Sequence, residues 1–82
     1  PYARAFDLLR EGGHLHGDAT QADVVAIEDS EWGLQAARGA GLRTMAVLTS
    51  YTRDRLPSAE AWLPSIRDVT MDALEALVAS PR

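Results

Sequence analysis

The chain has 82 residues, 46% of them hydrophobic and 24% charged, and a net charge of −4. That is one small domain at most, close to the size at which a single core is barely sufficient, so a missing partner segment is expected. There is no cysteine for a disulfide or thiolate metal site, no apolar run long enough to span a bilayer, and no Lys, the eight basic residues being scattered Arg with only Arg53 and Arg55 close together. These features exclude a disulfide scaffold, a membrane-spanning helix and the concentrated basic footprint of a nucleic-acid binder.

YARAFDLLRE places Tyr2, Ala5, Phe6 and Leu9 at helical spacing, which predicts an amphipathic helix from residue 2 to about 11, ended by Gly12 and Gly13. GGHLHGDATQAD has the composition of a surface loop. Val24 to Ile27 is an apolar run with three β-branched members, the pattern of a parallel strand buried on both faces. Ser30 suits the N-cap of a helix through about Gly39, with Glu31 in its first turn and Gly41 as a left-handed C-cap. A second apolar strand follows at about Thr44 to Leu48. SYTRDRLPS reads as loop, and AEAWL before Pro64 as a short third strand near a sheet edge. Thr70 caps a closing helix whose Met71, Leu74, Leu77 and Val78 form one apolar face. The alternation predicts an α/β fold, part of a doubly wound parallel, Rossmann-like sheet with flanking helices.

Glu28 and Asp29 end the first strand, and in an open parallel sheet ligands bind outside the carboxyl ends of the strands. Adjacent carboxylates there repel each other and resist desolvation unless a cation or donors offset the cost. Magnesium suits the position, because it takes one or two protein carboxylates and completes its shell with water and phosphate oxygens. The competing explanation is purely local: Asp29 and Ser30 cap the helix while Glu28 points to solvent.

The longer pattern bears on that choice. VVAIEDSEWGLQAARGAGLRTMAV resembles the fourth motif of haloacid-dehalogenase-like phosphohydrolases, in the phosphatase and phosphoglucomutase-like branch whose pattern is an apolar strand, E-D-S-x-x-G, A-A and A-G. It falls here on Glu28, Asp29, Ser30, Gly33, Ala36, Ala37, Ala40 and Gly41. PYARAFDLL is similar to the end of the family's P-x-P-x-x-[YF] segment and its helix, and AEAWLPSIRDV to the family's closing segment. The resemblance implies that residues 1–82 are the C-terminal portion of one haloacid-dehalogenase-like core domain, without its N-terminal part and cap.

It implies too a magnesium-dependent phosphatase acting on a small phosphorylated metabolite, a sugar phosphate, through an aspartyl-phosphate. Asp29 would be the main protein carboxylate on the metal, with Glu28 assisting directly or through a bound water, and Ser30, Thr49 and Ser50 would rim the site. The family's D-x-D nucleophile motif and its phosphate-contacting Lys are both absent. With Pro1 in place of a start methionine and no signal-peptide pattern, the chain reads as an internal stretch of a cytoplasmic protein, inert alone and completed by an N-terminal segment. The alternatives are phosphoglucomutase-like phosphoryl transfer and a non-catalytic α/β binding module.

Three further groups of residues merit attention. His14 and His16 are expected in an exposed loop away from the site rather than on a metal. Gly33, Ala36, Ala37 and Ala40 are expected to bring the helix close to the sheet. Arg53 and Arg55 are expected in solvent and Trp62 in the core, whereas an exposed Trp32 would mark a surface made to be covered.

Overall fold

Val25 and Ile27 alternate with Ala26 and Glu28, and the four form strand β1 (Val25–Glu28) in the computed structural model, which describes residues 1–82. Beside it lies β2 (Arg43–Val47), buried along its whole length, and beyond that β3 (Ala61–Leu63), giving an open sheet in the order β1-β2-β3 with both pairings parallel. Three helices accompany it: α1 (Tyr2–Glu11), α2 (Glu31–Gly39) and α3 (Met71–Ala79). The fold is thus a small α/β arrangement on a three-stranded parallel sheet. No helix is long and apolar enough to cross a membrane.

Strands β1 and β2 are each displaced by one residue from the expected spans. Val24 remains on the ladder through its carbonyl, which accepts from the Arg43 N–H at 2.9 Å, and the Leu48 N–H donates to the Leu63 carbonyl at 2.9 Å, so the differences lie at the rims of the strands. Strand β3 is shorter than AEAWL, beginning at Ala61, although the Glu60 backbone N–H still donates to the Thr44 carbonyl of β2 at 3.0 Å and its carboxylate reaches Arg43. Three short 3₁₀ turns, at Gln21–Asp23, Arg53–Arg55 and Ile66–Asp68, were not expected.

Alternation along the strands sends side chains to two different helix layers. Ala26 packs with Phe6 of α1, Ala37 of α2 and Leu42, while Ala46 packs with Leu34 of α2, Leu56 and Ala59. The opposite face, Val25 and Ile27, meets α3 across an apolar concavity of about 440 Å³ shared with Met71, Leu74 and Val78. Helix α3 begins as expected, with Thr70 Oγ1 accepting from the Ala73 N–H at 3.1 Å. Its apolar face, however, is only loosely covered: Leu77 is buried, but Met71 is 67% exposed.

Arg43 fastens α3 to the amino end of β2. It is 3% exposed, its Nε donates to both Glu60 carboxylate oxygens at 3.0 Å, and its Nη1 donates to the Val78 carbonyl of α3 at 3.2 Å. Burial alone would raise the Glu60 carboxyl, but the Arg43 guanidinium and the Thr44 N–H outweigh it and hold that carboxyl below its ordinary range.

Candidate functional site

The chain leaves β1 at Glu28 and enters α2 two residues later through Ser30, whose extended backbone frees its Oγ to accept from the Gly33 N–H at 3.2 Å. That short passage fixes both carboxylates at the carboxyl end of β1, and it also gives them different partners. Asp29 is exposed, and its Oδ2 accepts from Ser50 Oγ at 3.0 Å, across from the end of β2. Asp29 Oδ1 has no protein donor. Ser30 is the helix cap, and Thr49 is an exposed turn residue whose side chain makes no hydrogen bond within the chain.

Glu28 is half-buried and turns toward the helices, where it accepts from the Tyr2 hydroxyl. Its carboxylate occupies the space a side chain would fill at Gly33: a Cβ built there would lie 2.3 Å from Glu28 Cδ. Gly33 therefore makes room for an acidic side chain at the first turn of α2, where the helix dipole favours negative charge, rather than drawing the helix onto the strand as expected. Ala37 does pack against the sheet, but Ala36 is exposed. Partial burial, then the hydrogen bond and charge of Glu28, push the Tyr2 phenol up to about 12.

The segment after β2 is anchored on this side of the sheet. Leu56 is fully buried in the cluster with Leu34 and Ala46, and Ser58 grips Glu31 of α2 through its N–H at 3.1 Å and its Oγ at 2.5 Å. Desolvation would raise the Glu31 carboxyl, but the bonds from Ser58 and Gln35 and the charge of Arg38 bring it below its usual range. Trp62 is half-buried against the same cluster, its Nε1 donating to the Leu56 carbonyl at 3.0 Å; Arg53 and Arg55 are exposed as expected, and the Arg53 guanidinium lies 4.1 Å from the Trp62 ring centroid. Trp32, by contrast, is 84% exposed beside Asp29.

The donor chemistry fits magnesium: hard carboxylate oxygens at a strand end, one of them without a protein partner. Asp29 and Glu28 are the residues that could hold such an ion. No group of three or more His, Cys, Asp and Glu side chains forms a metal cluster, and His14 and His16 lie exposed in the loop after α1. Tyr2 and Ser58 are the partners that sequence reasoning missed, because each lies more than twenty-five positions from the carboxylate it contacts. Glu31 carried a helix-dipole signal but none for its bond to Ser58. No family model, curated protein or solved structure matches the chain.

Proposed function

We propose that these residues form the magnesium-holding, C-terminal part of a haloacid-dehalogenase-like phosphohydrolase core, in a protein that removes phosphate from a small phosphorylated metabolite such as a sugar phosphate. The observation that carries the reading is Asp29, exposed at the carboxyl end of a parallel strand, oriented by Ser50 and neighboured by a second carboxylate. The E-D-S-x-x-G pattern joins this geometry, since Gly33 supplies the room in which Glu28 sits. Helices on both faces of a parallel sheet are compatible with a doubly wound, Rossmann-like core.

In this reading Asp29 takes the cation and Ser50 holds the carboxylate in place. Glu28, tied to Tyr2 and the first turn of α2, sets the electrostatics of the strand end and reaches the cation directly or through water. Bound magnesium would neutralise charge on the transferring phosphoryl group. In this reading the nucleophilic aspartate lies outside these residues, on a strand beside the open edge of β1.

In the complete protein, Asp29→Asn is expected to lower magnesium-dependent phosphate release from sugar phosphates about 100-fold with the circular dichroism unchanged, the upper end of the scale for removing a metal-site partner. Full activity in that variant would overturn the reading. Isomerised sugar phosphate in place of released phosphate would identify a mutase.

A further inference from the structure

Beside Asp29 lies a concavity of about 250 Å³ that the phosphatase reading does not use. One wall is the first turn of α2, Ser30 to Trp32; the other is Tyr51 and Arg55 of the segment after β2. Trp32 is 84% and Tyr51 47% exposed, and the Arg55 guanidinium stands 5.8 Å from the Tyr51 ring centroid. Two large aromatic residues exposed on facing walls, with a guanidinium beside one of them, offer ring faces and one positive charge to a ligand.

The walls are held in register. Ser58 joins the second wall to Glu31 of the first through two hydrogen bonds, of 3.1 and 2.5 Å, and Leu56 roots that wall in the core with no exposed surface. Ser50, the residue before Tyr51, bonds Asp29, so one end of the concavity adjoins the acidic strand end. A site whose walls are already ordered loses little freedom when it binds.

We propose that Trp32, Tyr51 and Arg55 form a subsite for the organic part of the ligand, selecting, in place of a sugar, a compound with a flat ring that carries an anionic group besides its phosphate. The ring stacks on Trp32 and Tyr51, and Arg55 pairs with the second anion. Only the position of the phosphate, at Asp29, rests on the phosphatase reading; the ring subsite stands on its own walls.

The test uses non-hydrolysable probes with the complete protein and magnesium, their affinities measured by calorimetry: methylphosphonate, benzylphosphonate, 4-carboxybenzylphosphonate and, lacking phosphorus, 4-methylbenzoate. Benzylphosphonate is expected to bind about tenfold more tightly than methylphosphonate, the scale of one ring stacked on an aromatic side chain. Trp32→Ala erases that advantage and Trp32→Phe keeps most of it. Because Trp32 is so exposed, both variants should fold, which circular dichroism checks. The added carboxylate contributes about another threefold that Arg55→Met removes, as for an exposed ion pair.

Equal affinity for methylphosphonate and benzylphosphonate, or indifference of the benzyl compound to Trp32→Ala, overturns the subsite. The two readings fail separately. If 4-methylbenzoate binding depends on Trp32 while methylphosphonate ignores both magnesium and Asp29→Asn, the phosphatase reading falls and the subsite stands. If methylphosphonate needs Asp29 and magnesium but no probe responds to Trp32, the subsite falls and the phosphatase reading stands.

Discussion

Glu28 shows how much one missing side chain can determine. Gly33→Ala would place a Cβ 2.3 Å from Glu28 Cδ, so the carboxylate must leave the first turn of α2. Alanine also adds up to about 1 kcal/mol of helix propensity, and the fold is expected to survive with stability changed by no more than about that amount. The change should register at Tyr2, whose phenol, at about 12, falls back toward 10 on losing Glu28 without reaching it, since partial burial is the largest cause of the shift. An ultraviolet phenolate titration in a Tyr51→Phe background reads this directly, and an unmoved midpoint would show that Glu28 had not been displaced. The Ser30 cap was legible because its bond to the Gly33 N–H is local, whereas the room that Gly33 leaves for Glu28 was not. The Tyr2 contact was not, because nothing in PYARAF says which residue, 26 positions away, its hydroxyl will meet.

Among the elements, β2 carries the greatest load. It pairs on both sides and is buried throughout, and Arg43 at its start is satisfied by Glu60 and by α3. The folded state holds the Glu60 carboxyl below its ordinary 4.5, so it binds fewer protons than the unfolded chain at that site. The resulting stabilisation is complete above 4.5 and is lost as pH falls through the lower folded value. Urea denaturation of Glu60→Gln is expected to show a loss of about 1 to 2 kcal/mol near neutral pH, because the amide keeps an acceptor for Arg43 but loses the charge, and a gap to the parent that narrows in acid. A constant gap would sink this assignment. Leu56→Ala should cost about 2 to 5 kcal/mol, because the segment after β2 loses its anchor in the core. The principal elements were readable from period and caps, Ser30 and Thr70 above all. Two of the 3₁₀ turns also had a local signature: Thr20 with Asp23 and Ser65 with Asp68 form reciprocal caps, spaced as T-x-x-D and S-x-x-D. The loose seat of α3 could not be read, because apolar spacing fixes which residues share a face and not how closely another surface approaches it.

For the molecule as a whole, the parallel pairing of β1 with β2 followed from the helix between them, whereas β2 and β3 pair parallel across a segment with only a 3₁₀ turn, which alternation does not signal. Each strand must still decide which neighbour takes each edge, and that information is long-range. Strand β1 pairs only with β2, and Val25 and Ile27 stay half-exposed. If a preceding strand docks there in the complete protein, the β1 amides that face the open edge should exchange with solvent far more slowly than in the 82-residue chain, while β2 amides, paired in both, change little. Equal exchange of those edge amides in the two would count against the added strand. The clip between Tyr2 and Glu28 has a consequence at this same scale. Helix α1 has only Phe6 fully buried, and its first turn is held by Tyr2, through packing on the Phe6 cluster and through that one carboxylate. A cation that drew Glu28 away would loosen the helix, and by thermodynamic reciprocity anything that braced α1 would weaken the hold on the cation by the same factor. The amino-terminal helix would then be an adjustable brake on ion occupancy, set from the far end of the sequence.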